Sequence, residues 1–293
     1  MTPFYTRGVL NLWRVADAIR RPSRVSRKRA KLIAQMSGEQ LANSASAAAF
    51  SKAGANPKFL YDAQASQYVV VDSNEHRFAH PARVYHYLAG LEARGKKLAQ
   101  EYLIEKVPME NGDHVVDVGA NVGDFGLALK ARGVSAKVTA FEPSPLEFAA
   151  LTRNLGSNDA VLSHKALNLA LWSNDAEKMT FYLKSQTADS SLLPIDEFDE
   201  AISVSTARLD SQLERRPYKL LKLEAEGAEP EILDGAEGVL DCFEYVTADV
   251  GFERGMRQDS TLPEVAERLC AKGFKITAVG RERLVLLFQR VDR

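Results

Sequence analysis

Two features of this chain have the residue types and spacing to do chemistry together. The first is Asp117-Val118-Gly119-Ala120-Asn121-Val122-Gly123-Asp124-Phe125-Gly126, directly after the apolar run His114–Val118. Glycines let a backbone bend sharply and let a ligand lie against it. The second is Glu142-Pro143, which follows the run Lys137–Phe141 and comes 23 residues after Gly119. A carboxylate in that place accepts the hydroxyls of a ribose, in nicotinamide and S-adenosylmethionine sites alike. The glycines are spaced G-x-x-x-G-x-x-G, whereas the dinucleotide fingerprint is G-x-G-x-x-G, and no Lys-Ser/Thr pair follows as in a P-loop. The spacing therefore favours a nucleoside without a pyrophosphate, and a methyl donor over a nicotinamide.

Those residues need strands and helices to hold them. Strand-like runs recur at His114–Val118, Lys137–Phe141, Ala160–Ala166, Met179–Leu183, Lys219–Leu223 and Tyr245–Ala248. Helical periods fit Asp124–Ala131, Pro145–Leu155, Glu229–Leu240 and Leu262–Ala271. The alternation predicts an α/β fold with a parallel sheet covered on both faces. Phe274–Val279 and Arg283–Gln289 read as a closing antiparallel hairpin. Ligands in such sheets sit beyond the carboxyl ends of the strands. Upstream, residues 82–106 have a helical period, and Gln67–Asp72 with His76–Ala79 reads as a small hairpin. Residues 36–65, rich in Ala and Ser, read as a linker or weak helix broken by Gly54 and Pro57.

The segments DVGANVGDFG, FEPSPLEFAALTRNL, TARLDSQL and LLKLEAEGAEPEILDGA, in this order and spacing, resemble the FkbM family of methyltransferases. The resemblance covers roughly residues 83–290, including the helix RVYHYLAGLEARGKKLAQEYL. It implies a class I, Rossmann-like methyltransferase fold: a mostly parallel seven-stranded sheet that uses S-adenosylmethionine. It also implies O-methylation of hydroxyls on sugars, glycans or polyketide-like products. By position, Asp117, Gly119, Ala120, Asn121 and Gly123 would line the methionine end of the cofactor. Glu142 with Pro143 would hold the ribose, and Ala170, beside Leu171, would flank the adenine. The family's Lys-Ile-Asp-Val-Glu-Gly motif stands here as Lys222-Leu223-Glu224-Ala225-Glu226-Gly227, with Glu in place of the shorter Asp. Asp249 follows the fifth strand, where an acidic residue is expected.

Methyl transfer to a hydroxyl needs alignment of the reactants and a base for the hydroxyl proton. Glu224 is the expected base. Lys222 or Glu226 would position the acceptor, and Lys222 would keep a neighbouring carboxylate ionised. Glu224, Glu226 and Asp249 would also suit Mg²⁺, whose hard charge favours oxygen ligands; that use ranks below the base, and no metal is expected. Gly251-Phe252-Glu253-Arg254-Gly255 falls where a lid over the acceptor would sit, and Asp189-Ser190-Ser191 resembles a family feature near the pocket, with a plain polar loop equally open. Two other readings stay open. One is a nicotinamide-dependent oxidoreductase; the other is a non-catalytic adaptor with a degenerate pocket.

Composition limits the partners. The 293 residues are 45% hydrophobic and 26% charged, an ordinary globular balance with a net charge of −1. Two cysteines, not in a CxxC pair, exclude a disulfide framework and a zinc ribbon. The near-neutral total hides an asymmetry: residues 1–35 hold nine basic residues and one acid, so the remainder is acidic. In that arm Val9, Leu12, Trp13, Ala16 and Ile19 fall on one helical stripe with Arg7, Arg14 and Arg21 opposite. Such a helix suits an anionic membrane surface, though packing against the body is equally open. Nucleic acid is not an expected partner. The organisation expected is a basic arm (1–35), a linker and small hairpin cover (36–82), and a methyltransferase domain (83–293). A cytoplasmic enzyme is expected, peripheral at the inner membrane face if the arm docks, with a sugar or glycan hydroxyl as acceptor.

Overall fold

The computed structural model describes residues 36–49, 56–184 and 189–291. The basic arm and Gly54 lie outside the described residues. The chain divides into two compact units between Arg94 and Gly95, some residues beyond the boundary at 82/83 expected from sequence.

In the first unit a helix, α1 (Gly38–Ala48), stands where a linker or weak helix was expected. Its start is set by a capping box. Ser37 Oγ accepts the Gln40 N–H at 3.2 Å, and Gln40 Oε1 accepts the Ser37 N–H at 3.0 Å. Alanine carries the interior, being the best helix former, and Leu41, Ala42 and Ala45 are buried. The expected hairpin is a three-stranded antiparallel sheet: β1 (Lys58–Asp62), β2 (Gln67–Val71) and β3 (Glu75–Phe78). Phe59, Tyr68 and Phe78 pack on one face, with Tyr68 stacked on Phe78 at 5.3 Å. Ser46 Oγ accepts the Phe59 N–H at 2.8 Å and ties α1 to β1.

The helix expected over 82–106 is broken. A 3₁₀ turn (Pro81–Arg83) leads into α2 (Val84–Tyr87), and α3 (Leu91–Glu101) begins afresh across the unit boundary. Gly90 makes the break, at φ +89°. The Asp72 carboxylate then accepts the Leu91 N–H at 3.1 Å, capping α3 from β2's end. A side chain at Gly90 would meet that carboxylate at 2.6 Å.

The second unit runs β4 (His114–Val118), α4 (Phe125–Ala131), β5 (Ala136–Phe141), α5 (Pro145–Ser157), β6 (Val161–Leu167), β7 (Ala170–Leu171), β8 (Lys178–Leu183), β9 (Glu200–Ala207), α6 (Leu209–Gln212), β10 (Tyr218–Leu223), α7 (Glu229–Asp234), β11 (Phe243–Asp249), β12 (Phe252–Arg254), β13 (Asp259–Ser260), α8 (Leu262–Ala271), β14 (Phe274–Val279) and β15 (Val285–Arg290). Its main sheet has seven strands in the order β14-β15-β11-β10-β4-β5-β6. Strands β6 to β11 are parallel; β15 pairs antiparallel with both β11 and β14. The seven-stranded sheet and its antiparallel closing pair are as the sequence implies.

Consecutive strand residues feed opposite cores, the two-residue period of a strand. Val116, Leu221 and Val246 enter one with Ile232, Leu233, Val265 and Leu269 from α7 and α8. Val115, Leu220 and Tyr245 enter the other with Leu98, Ala128, Leu129, Leu151 and Leu155 from α3, α4 and α5. Each such side chain, fully buried, contributes roughly 1.5–3 kcal/mol.

Two expected elements differ. β8 does not join the main sheet; it pairs antiparallel with β9, which sequence periodicity did not reveal. β9 exposes Glu200, Ala201, Ser203 and Ser205, so only a thin apolar face marks it. The helix expected over Glu229–Leu240 ends at Asp234. Gly235 lies so close to the Trp172 carbonyl that a Cβ would stand 2.1 Å from its oxygen. The Asp210 carboxylate then accepts the Gly238 N–H at 3.0 Å, turning the chain away.

Candidate active site

The strand order reverses between β4 and β10, whose connections run to opposite sides of the sheet. A crevice opens at such a switch point, beyond the carboxyl ends of the strands. The register of the two strands sets Lys222 beside Asp117 and Leu223 beside Val118. Thus the glycine stretch and the Lys222–Gly227 motif, more than a hundred residues apart in sequence, leave the sheet side by side.

The glycine stretch is shaped by contact with that neighbour. Gly119 has φ +67°, and a Cβ there would stand 1.7 Å from the Glu224 carbonyl oxygen. Asn121 is also left-handed, at φ +48°, and its Oδ1 accepts the next N–H, of Val122, at 2.8 Å. Gly123 folds back to donate to the Ala120 carbonyl at 2.8 Å, and Ala120 donates to Phe141 at 3.0 Å. Glu142, just past β5, spans this turn: Oε2 accepts the Asn121 N–H and Oε1 the Ser144 N–H, each at 2.8 Å. Burial and the nearby Glu147 push the Glu142 carboxyl up to about 8, against the pull of those two amides. Asn168 Nδ2 donates to the Glu142 and Pro143 carbonyls at 2.8 and 3.0 Å, bringing the segment after β6 to the same place.

These residues fit an S-adenosyl nucleoside. Each Glu142 oxygen keeps a second lone pair after accepting its amide, one for each ribose hydroxyl. The loop from Gly119 to Gly123 is free of bulky side chains except Asn121 and Val122, which leaves backbone open to a ligand. Asp117, Gly119, Ala120, Asn121, Gly123, Glu142 and Pro143 are therefore brought together. Ala170 is not. It is packed in a separate small core with Phe181, Leu192 and Val204, because β7 pairs with β9 and turns away from the main sheet. Asn168 and Leu169 are the residues that directly follow β6.

Beside the glycine loop lies a cluster of buried charge. Lys222 Nζ stands 2.9 Å from Asp117 Oδ1 and 3.1 Å from Glu224 Oε2, and donates to the Gly119 carbonyl at 2.8 Å. A buried ammonium is tolerated only with such partners. Burial alone would lower its pKa, but Asp117 and Glu224 outweigh that and raise it. Burial raises Asp117, with Lys222 opposing.

Glu224 carries a second cation. Arg283, from the turn between β14 and β15, donates Nη2 to Glu224 Oε1 at 2.8 Å and pairs with Asp249. Its other nitrogen donates to the Tyr102 hydroxyl at 2.9 Å. Burial pushes Glu224 up, yet Lys222, Arg283 and the Tyr102 hydroxyl overcome it and hold the carboxyl at about 2. The carboxylate is ionised as expected, but two cations on its oxygens also make it a weak base.

The more basic carboxylates are its neighbours. Glu226 sits in the left-handed region at φ +50°, a conformation worth about 1–3 kcal/mol of strain in a residue with a side chain. The turn that imposes it is fixed from several sides. Buried Glu229 accepts the Ala225 and Gly227 N–H groups at 2.8 and 3.2 Å, and Ser191 Oγ donates to the Glu226 carbonyl at 3.0 Å. Burial, then Glu253 and Asp189, raise Glu226 well above the usual carboxylate range. Glu253, on β12, is pushed up to about 8 by burial, Asp249 and Glu224. Among the described residues no cation pairs with Glu226, whereas Arg283 Nη2 lies 3.6 Å from Glu253 Oε1. Phe252 and Met256, flanking Glu253, are large exposed apolar residues.

The alternative use of Glu224, Glu226 and Asp249 for Mg²⁺ finds no donor set. Glu224 and Asp249 turn to Lys222 and Arg283, and among the described residues no group of three His, Cys, Asp or Glu is arranged around a metal. His114 lies at the amino end of β4, its ring against Tyr218 at 5.0 Å, far in the fold from the strand ends that form the site. Sequence reasoning missed Tyr102, Glu229 and Arg283. Only Glu253 had a signal, within the loop after β11.

A sheet of this order, with a glycine turn after its first strand and a carboxylate after its second, defines a Rossmann-like class I methyltransferase. The methyltransferase FkbM domain model matches residues 117–276, and the chain belongs to that family. It is thus an S-adenosylmethionine-dependent, FkbM-type methyltransferase, which sets aside the nicotinamide and adaptor readings. Methyltransferase sdnD of Sordaria araneosa is 28% identical over 228 residues, 66% of this chain and 86% of that protein. The 31-O-demethyl-FK506 methyltransferase FkbM of Streptomyces tacrolimicus is 28% identical over 208 residues, 60% of this chain and 78% of that one. A crystal structure of methyltransferase FkbM from Methylobacillus flagellatus aligns with a TM-score of 0.47 and 14% identity, covering 71% of this chain and 53% of that one. This chain therefore spans about half of that structure's length. Among the described residues no helix is long and apolar enough to cross a membrane.

Proposed function

We propose that the enzyme methylates a hydroxyl group on an uncharged acceptor, a sugar, glycan or related natural product. The observation that carries this reading is the carboxylate-rich rim at the ends of β10 and β11. There Glu224, Asp249 and Glu253 meet two cations, Lys222 and Arg283, and Glu226 lies beside them without one among the described residues. Such a rim leaves neither cation free to pair with a phosphate or carboxylate and is rich in hydrogen-bond acceptors, so it suits an acceptor that donates hydrogen bonds. A relative named as a 31-O-demethyl-FK506 methyltransferase supports methylation at oxygen.

Bound S-adenosylmethionine supplies a methyl group already activated by a sulfonium. Asp117, Gly119, Ala120, Asn121 and Gly123 would cradle its methionine end, and Glu142 with Pro143 its ribose. The rest falls to the rim. Glu224, fixed as an anion, accepts a hydrogen bond from the acceptor and orients it. Glu226 or Glu253, in its ionised form, takes the hydroxyl proton as the oxygen gains its methyl group, and its raised affinity for protons makes it a stronger base than Glu224. Lys222 is too enclosed to reach an acceptor and keeps Glu224 charged instead.

The test is a screen of hydroxyl compounds with isotopically labelled methyl donor, each compared with its phosphate ester. Label transfer to the neutral member of a pair supports the reading. Transfer to the phosphate alone, or only to amines or thiols, overturns it. For residues 1–31 we propose docking on an anionic membrane surface at the cytoplasmic face, supported by the Trp-Leu stripe and the basic residues. Flotation with anionic vesicles tests it, and binding undiminished by deleting residues 1–31 counts against it.

A further inference from the structure

We propose that Arg283 is a positioning residue: from the turn between β14 and β15 it gathers three acceptor-side carboxylates around one nitrogen and decides which stays an anion and which is left to accept a proton. The proposal deepens the methyltransferase reading and rests on it for the reaction, not for the cluster itself.

The geometry is specific to the guanidinium. Nη2 meets Glu224 Oε1 at 2.8 Å, pairs with Asp249, and lies 3.6 Å from Glu253 Oε1. Nη1 donates to the Tyr102 hydroxyl at 2.9 Å. That hydroxyl, accepting from Arg283, also lowers the Glu224 carboxyl, as a donor turned toward it would. Arg283 therefore reaches Glu224 twice, once directly and once through Tyr102. A planar fork of donors does this; a single ammonium cannot. The guanidinium also lies over the Tyr102 ring, 5.5 Å from its centre, within reach of a cation–π attraction.

The hairpin does not depend on this side chain for its own shape. Gly280 donates to the Val285 carbonyl at 2.7 Å and Val285 to the Arg283 carbonyl at 2.8 Å. The strands stay paired through Val279 and Leu286, past a bulge between Ile276 and Ala278. The side chain spends its donors on other elements: the segment after α3, and the ends of β10, β11 and β12. Among the described residues, the charged and titratable groups that act on or with Glu224 include Tyr102, Asp117, Lys222, Glu226, Asp249, Glu253 and Arg283. Of the two cations, Lys222 is shared with Asp117, so Arg283 is the one that faces the acceptor rim. By contact it holds Glu224 as an anion and opposes the burial that raises Asp249. Glu253 is at its margin, and Glu226 is beyond its reach. The same residue thus separates the orienting carboxylate from the basic ones.

The full chain, labelled with ¹³C at glutamate carboxyls, reads this directly. Glu224 is assigned by the resonance lost in Glu224→Gln. In the wild type it stays ionised across the range from pH 4 to pH 9. In Arg283→Gln its titration, followed down to pH 2, should move up by about one pH unit or more, the effect of losing an opposite charge at contact distance. Arg283→Lys should recover part of that, since it restores the charge but not the fork. A merely structural arginine would leave the Glu224 titration where it was in a folded variant, and that result overturns the proposal. If Arg283→Gln does not fold, Tyr102→Phe removes the relay alone; a smaller upward movement is expected, and none overturns the proposal. Titration with S-adenosylhomocysteine runs alongside. Failure of the wild type to bind it would sink the methyltransferase reading while the carboxyl titration still judges Arg283.

Discussion

Gly119 and Glu224 touch through their backbones: a Cβ on the glycine would stand 1.7 Å from the glutamate's carbonyl oxygen. The turn that would hold the cofactor and the strand end that would hold the acceptor are in van der Waals contact at this point. Gly119→Ala adds both a clash with backbone and the cost of a left-handed residue, together about 2–5 kcal/mol. Gly133→Ala is the control, since Gly133 has a similar φ of +66° but nothing within 4 Å of its Cβ position. Thermal unfolding should show a much larger loss for Gly119→Ala, and calorimetry should show S-adenosylhomocysteine binding lost in that variant alone. Equal effects would mean that the contact is unimportant.

Glu142→Ala should weaken S-adenosylhomocysteine by about 1–3 kcal/mol, the range for a hydrogen bond to a charged group. The affinity should also depend on pH. The free carboxyl is raised to about 8, and ribose hydroxyls favour its ionised form. Binding should therefore release a proton near pH 7 and tighten as pH rises toward 9. Calorimetry in buffers of different ionisation enthalpy measures the proton count; a count of zero would remove Glu142 from the ribose.

Lys222→Met leaves Asp117 and Glu224 facing each other without their shared cation. Breaking a buried pair by removing one partner costs about 3–5 kcal/mol. Urea unfolding should show a loss of that order. Double replacement with Asp117→Asn should recover much of it, since the orphaned charge is then gone as well. An additive double variant would mean the ion pair is not the source of the loss.

Stability should change with pH in a direction the carboxyls dictate. Glu253 and Glu229 are raised from 4.5 to about 8 and about 7. A raised carboxyl favours the folded state while protonated, so its contribution is present below pH 4.5 and is lost as pH rises through 7 and 8. Glu224, lowered to about 2, contributes above pH 4.5 and loses that as pH falls toward 2. The cofactor-free protein should be most stable near about pH 5 and decline toward pH 9. Glu253→Gln should flatten the alkaline decline. A melting temperature still rising between pH 6 and pH 9 would contradict this arrangement.

The sequence made the cofactor half of the site legible and the acceptor half only partly so. Gly119, Asn121 and Glu142 lie within short segments whose spacing and strand context carry their meaning. Asp117 and Lys222 come together through strand register, which a parallel α/β pattern implies. Arg283 and Tyr102 had no such local mark. An arginine in a polar turn and a tyrosine in a helical stripe are ordinary until the sheet order sets β15 beside β11. Ala170 went astray for a related reason: the register after β6 is not set by periodicity, and a two-residue strand drew it into another core. At α1 the sequence left a linker and a weak helix open, and the Ser37–Gln40 capping box decides for the helix.

Strand β15 lies between β11 and β14, yet it follows both in the chain. On a ribosome, β11 emerges about three dozen residues before the strand that pairs with its outer edge. At about 5–20 residues per second, that edge stays open for roughly two to seven seconds of synthesis. An unpaired edge with buried-type residues such as Val246 and Ala248 is a template for wrong pairing. Arg283, just ahead of β15, arrives with the strand that closes it. The nascent sheet therefore acquires its full acceptor rim only once this strand has been made. Slow codons or chaperone shortage over this stretch should lower the soluble yield more than the same delay upstream of β10.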